Sequence, residues 1–135
     1  MPAIQYTYIV PKVSTLAEDV ERFILTRIPS VPYLEAALFF QSAPLIPRSA
    51  EGVADALYLS QTTAQRLLQA LCDGGVLARE GQIYRYAPQS SLREPLDRVA
   101  EAYRMNLIGV TQLIHDATPK NARRFPESLK LRRNT

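Results

Sequence analysis

The stretch Leu59–Leu77 reads LSQTTAQRLLQALCDGGVL. Ser60 is a residue type that caps helices by accepting a backbone N–H. Ala64, Leu67, Leu68 and Leu71 follow at i, i+3, i+4 and i+7, the stripe of a helix that buries one side. Asp73-Gly74-Gly75 ends that helix, because glycine takes the left-handed conformation of a helix C-terminus without Cβ strain. Val76 and Leu77 then return to apolar residues. Gln61, Thr62, Gln65, Arg66 and Gln69 fall together on the opposite side as one polar face. Two readings of that face stand. It belongs to an ordinary core helix and meets water, or it reads a partner.

The flanking segments bear on the choice. Val76 to Arg79 is short and extended, Glu80-Gly81 is turn chemistry, and Gln82 to Ala87 alternates. The pair predicts a tight hairpin closed by Pro88, with Tyr84 and Tyr86 on the core side and Arg85 facing out. Before the central stretch, Ser49 caps a short helix, Ala50 to Leu57, and Tyr58-Leu59 is a turn. Pro44 and Pro47 make a stiff connector. Ser30-Val31-Pro32 starts a helix that continues over Tyr33 to Gln41, with Pro32 in the first turn, where its missing N–H costs nothing.

Toward the N-terminus, Thr15-Leu16-Ala17-Glu18 has capping-box form. Leu16, Val20, Phe23, Ile24 and Ile28 mark a helix ending before Pro29. Ile4 to Val10 (IQYTYIV) reads as a strand stopped by Pro11, either at a sheet edge within a dimer or paired with the hairpin. Toward the C-terminus, Ser91-Leu92-Arg93-Glu94 repeats the capping-box form, with Pro95 in the first turn. The longest helix is expected from there to about His115, striped by Leu96, Val99, Tyr103, Leu107, Val110 and Ile114. It either folds back as core or pairs with the same helix of a second chain. The width of the stripe, with Leu107-Ile108 and Leu113-Ile114, favours the pair.

This order resembles a winged helix-turn-helix domain over about residues 31–88. Tyr33–Gln41 and Ser49–Leu57 correspond to its first two helices, Ser60–Asp73 to the recognition helix and Val76–Ala87 to the wing. Leu68-x-x-Leu71-x-x-x-Gly75-Val76-Leu77 is the most specific part of the match. The long helix and the arginine-rich end RRFPESLKLRR are similar to small bacterial winged-helix proteins. The resemblance implies a mainly α fold: a winged helix-turn-helix with an N-terminal strand/helix extension and a long C-terminal helix. The expected segments are an extension over 1–29, the winged domain over 30–88, the long helix over 89–116 and a basic tail over 117–135.

The resemblance also implies double-stranded DNA as partner, a homodimer, and transcription regulation. Side-chain chemistry points the same way. Gln bonds bidentately to adenine, Arg to guanine, and Thr touches a thymine methyl or a phosphate. Gln61, Thr62, Gln65, Arg66 and Gln69 are the candidates for the major groove, Arg79 and Arg85 for backbone or minor groove, and Arg132 and Arg133 for sequence-independent grip. The charge argues in part against this. The reading face has one arginine and no lysine, Glu80 offsets the wing, and residues 1–115 hold 10 Lys/Arg against 11 Asp/Glu. The excess sits in residues 116–135, with 6 Lys/Arg against 2 Asp/Glu, a tail that either meets an anionic surface or is simply solvated. A winged-helix module with a protein partner and no DNA binding is the alternative.

Hydrophobic residues at 47% and charged residues at 21% are ordinary for a core-forming chain. No run of 18 apolar residues occurs and the N-terminus lacks a secretory pattern, so neither a membrane span nor a signal is expected. Cys72 is the sole cysteine and His115 the sole histidine, which excludes an intrachain disulfide and a His- or Cys-rich metal cluster. Cys72 reads as a packing residue before a redox sensor. No phosphate-binding loop or dinucleotide fingerprint appears, so no cofactor, metal or catalytic residue is assigned. The expected setting is cytoplasmic.

Overall fold

Caps, apolar stripes and glycine stops divide the chain as their chemistry dictates. In the computed structural model, which describes residues 16–117, the order is α1 (Glu18–Arg27), α2 (Val31–Gln41), β1 (Arg48–Ser49), α3 (Ala50–Leu57), α4 (Gln61–Asp73), β2 (Leu77–Glu80), β3 (Ile83–Tyr86) and α5 (Ser90–Met105). A last helix, α6, covers 107–117. The fold is mainly helical with one three-stranded antiparallel sheet, ordered β1-β3-β2. That arrangement is compatible with a winged-helix-like fold.

The chain forms two compact units. Residues 31–101 make one. Its core takes Leu34, Ala37 and Phe40 from α2, Val53 from α3, and Ala64, Leu68 and Leu71 from α4, all without solvent exposure. Leu77 and Tyr84 of the hairpin and Leu96 and Val99 of α5 are buried as well. Among the described residues, 16–30 and 102–117 belong to the other unit, where Val20, Ile24, Ile28, Val110 and Ile114 are buried.

Two caps sit where the residue types require. Ser49 Oγ accepts the Gly52 N–H at 3.0 Å, and Ser60 Oγ accepts the Thr63 N–H at 3.0 Å. The turn between α3 and α4 passes through Tyr58, which takes φ 58° and is almost fully exposed. After α4, Gly75 takes φ 83°, a conformation that costs an L-residue about 1–2 kcal/mol.

Five features differ from the sequence-based expectation. β1 was not anticipated. It has two residues, pairing Arg48 with Tyr84 and Ser49 with Ile83, too short to show a period. The hairpin loop is Gly81-Gln82 instead of Glu80-Gly81, because Glu80 still pairs with Ile83 and Gly81 supplies the positive φ. α1 starts from Ala17 with no side-chain cap, and Glu18, Asp19 and Glu21 load its first turn with negative charge that favours the helix dipole. α5 starts at Ser90, which places Ser91 inside the helix and Pro95 beyond its first turn.

The single long C-terminal helix is two helices. Asn106 breaks it: its Oδ1 accepts the Gly109 N–H at 3.0 Å, starting α6 afresh. Asn side chains compete with helical backbone bonds in this way. A Cβ on Gly109 would meet the Asn106 amide, which would have to shift from its capping position. Leu107, expected on the apolar stripe, is consequently half exposed, while Val110 and Ile114 are buried. The expected strand Ile4–Val10, Thr15 and the basic tail from Thr118 onward lie outside the described residues.

Candidate nucleic-acid interface

The candidate site begins with the anchoring of α4. Its apolar side packs toward α2 and α3, with Ala64, Leu68 and Leu71 fully buried. That fixes the rotation of the helix. All five residues of the predicted reading face, Gln61, Thr62, Gln65, Arg66 and Gln69, are exposed. At the start of the helix, Ser60 Oγ also bonds Thr63 Oγ1 at 2.9 Å. At its end, Gln69 donates to Asp73 Oδ1 at 2.9 Å, which holds the glutamine side chain along the helix.

The two hairpin arginines, Arg79 and Arg85, are exposed but do not face the same way. Residues paired across antiparallel strands share a face. Arg79 pairs with Tyr84 and Arg85 with Ala78, so successive positions place the arginines on opposite faces of the hairpin. Arg79 lies over the Tyr84 ring, 5.4 Å from guanidinium carbon to centroid, and its Nε donates to the Gly81 carbonyl at 2.8 Å. Arg85 donates from Nε to Glu80 Oε1 at 2.9 Å, an ion pair about half exposed on both sides. A polar cleft of about 250 Å³ lies between α4 and the hairpin, lined by Ala50, Gln65, Gln69, Arg79, Gln82 and Tyr84. The fold therefore brings Gln65, Gln69 and Arg79 to one cleft and turns Arg85 away. Arg132 and Arg133 lie outside the described residues.

Gln82 is the lining residue that sequence reasoning did not single out. Its place in the hairpin loop, next to Gly81, is a local signal that could have marked it. Arg48 is a cation to which sequence reasoning gave no role. Its guanidinium lies 3.8 Å from the centroid of Phe39 and its Nε is buried without a hydrogen-bond partner. Arg48 thus packs against the aromatic pair of α2, whose rings meet edge to face at 79°. Tyr84 is buried, as the alternation of β3 predicts, and Tyr86 is half buried. Burial, helped by the charge of Asp97 and opposed by Arg93, pushes the Tyr86 hydroxyl from 10.0 up to about 12. That hydroxyl has no hydrogen-bond partner.

Cys72 is a free, half-buried thiol. Burial and then Asp73 raise its pKa, while Arg79 acts in the other direction. Thiolate is the reactive form, so this environment suppresses reactivity. Among the described residues no cluster of three His, Cys, Asp or Glu side chains is placed to hold a metal ion. No single helix among them is long and apolar enough to cross a membrane.

Searches of family models, curated proteins and solved structures find no match to this chain. The site is therefore read from its own geometry. Residues 31–101 carry 6 Lys/Arg against 8 Asp/Glu, a net of −2. Positive charge is nonetheless local: Arg66 and Arg79 are exposed on α4 and the hairpin.

Proposed function

We propose that this chain is a winged-helix protein that binds duplex DNA as a dimer and regulates transcription in the cytoplasm of a bacterium, without enzymatic activity. The observation that carries this reading is the exposed polar face of α4 beside the hairpin. A helix held by Ala64, Leu68 and Leu71 presents donors and acceptors suited to base edges. Arg66 is the specificity residue of that face, and its guanidinium is matched to a guanine. Gln61 and Thr62, in the first turn, sit where backbone N–H groups and the helix dipole also favour a phosphate. Arg85 contacts backbone or minor groove once freed from Glu80. Arg132 and Arg133 add sequence-independent grip.

Binding of a set of short duplexes at low salt tests the reading. Arg66→Ala should lose about 1–3 kcal/mol on the preferred sequence and flatten the preference among sequences. Arg132→Ala with Arg133→Ala should weaken all duplexes alike and reduce the salt dependence. A full chain that shifts no duplex at low salt rules the reading out.

The net charge of −2 on residues 31–101 favours a second reading, a winged-helix module with a protein partner. The two differ in salt dependence. DNA affinity falls steeply with salt because bound counterions are released.

A further inference from the structure

The cleft between α4 and the hairpin has a composition that selects its occupant. Its side chains supply one guanidinium and three primary amides, and no carboxylate lines it. Arg79 is held on both sides, by the Gly81 carbonyl on Nε and by the Tyr84 ring beneath. Its two terminal nitrogens make no hydrogen bond among the described residues, so a positioned pair of donors remains available. Gln65 and Gln82 also make no side-chain hydrogen bond among those residues. Gln69 is committed in part to Asp73. Ala50, the first residue of α3, brings the positive end of that helix to the wall. A fixed guanidinium flanked by unengaged amides matches an oxyanion, whose oxygens accept from several directions at once.

We propose that this cleft seats a phosphate group, with Arg79 as its clamp and Gln65 and Gln82 as amide donors. The inference rests on the DNA reading for its source, a backbone phosphate of the strand that passes between α4 and the hairpin. Free phosphate has the same chemistry and is the other source. The assignment changes the division of labour on α4. Gln65 serves the backbone and carries no base preference, which leaves direct reading to Gln61, Thr62, Arg66 and Gln69. Arg79 and Arg85, on opposite faces of one hairpin, then have different jobs.

The test uses the full chain and the variants Arg79→Gln, Arg93→Gln and Gln65→Glu. Arg93 lies on α5 and does not line the cleft, so its variant removes the same charge elsewhere. Affinity for a mixed-sequence duplex is followed by fluorescence anisotropy over a range of salt. Side-chain amide signals of Gln65 and Gln82 are followed by NMR during titration with inorganic phosphate. Arg79→Gln should lose roughly tenfold in affinity at low salt and about 0.9 in the log–log salt slope, the value of one phosphate contact. Arg93→Gln should keep the parental slope, and Gln65→Glu should lose affinity on every sequence alike.

A shallower slope for Arg79→Gln without an amide response to inorganic phosphate assigns the seat to the backbone alone. An amide response in a chain that binds no duplex keeps the seat as a small-anion site and overturns the DNA reading. If duplex binding persists with equal slopes for Arg79→Gln and Arg93→Gln, and the amides stay silent, the seat is overturned while the DNA reading stands. No duplex binding and no amide response overturn both.

Discussion

Glu80 is the residue that most limits the positive charge of the hairpin. Its carboxylate holds Arg85 at 2.9 Å on a face directed away from the α4 cleft. The pair is exposed, so it adds little stability, within about 1 kcal/mol. Its effect is on charge. Glu80→Gln should leave the fold unchanged and raise affinity for mixed-sequence DNA roughly two- to tenfold at low salt, with a steeper salt slope. Anisotropy titrations check this, and an unchanged slope would remove Arg85 from the contact. Tyr86 gives a prediction in pH. Its hydroxyl pKa is pushed up to about 12 from 10.0, so the folded state holds the proton more tightly than the unfolded chain. The stabilising contribution is complete below pH 10.0 and is lost as pH rises through about 12. Chemical denaturation from pH 9 upward should show the parent losing stability over that window and Tyr86→Phe losing less. Parallel curves for the two proteins would refute the assignment.

At the scale of elements, α4 and its C-terminal stop are the parts most completely written in local sequence. Ser60 and Ser49 cap where their side chains can accept a backbone N–H, and Ala64, Leu68 and Leu71 are buried where helical spacing puts them, while Leu67 of the same stripe is only half-buried. Gly75 illustrates the stop. With φ 83°, the position favours glycine, and a Cβ there would also push the end of the Gln89 side chain aside. Gly75→Ala should cost about 1–2 kcal/mol in denaturant midpoint analysis, with helix content unchanged. A neutral outcome would mean that the backbone relaxes out of the left-handed region. The break at Asn106 was less legible. Both Asn106 and Gly109 are visible as weak helix formers, yet a continuous apolar stripe spans them. Which wins depends on whether the Asn106 side chain finds the Gly109 N–H, and in the structure it does. β1 was illegible for another reason. Two residues become a strand only because β3 lies beside them.

At the scale of the whole molecule, the dimer part of the proposal turns on the start of α6. Met105, Leu107 and Ile108 are exposed there, at 76%, 51% and 70%. Ile108→Glu should shift the sedimentation mass toward the monomer and reduce cooperative DNA binding, with thermal unfolding little changed. If the parent already sediments as a monomer at working concentrations, the dimer is excluded. The distribution of charge is also a property of the whole chain: residues 31–101 are net negative, and the excess of Lys/Arg sits in residues 116–135. By itself, then, the sequence determined the helices, the hairpin and the polar face of α4, because capping, periodicity and glycine conformation act within a few residues. Only the tertiary structure decided that Arg79 faces the α4 cleft and Arg85 turns away to Glu80. It also decided that Gln82 joins Gln65 in the cleft and that the C-terminal helix divides at Asn106. The hairpin outcomes depend on strand register and on packing beside α4, and the break depends on whether a cap three residues long or the apolar stripe running through it prevails.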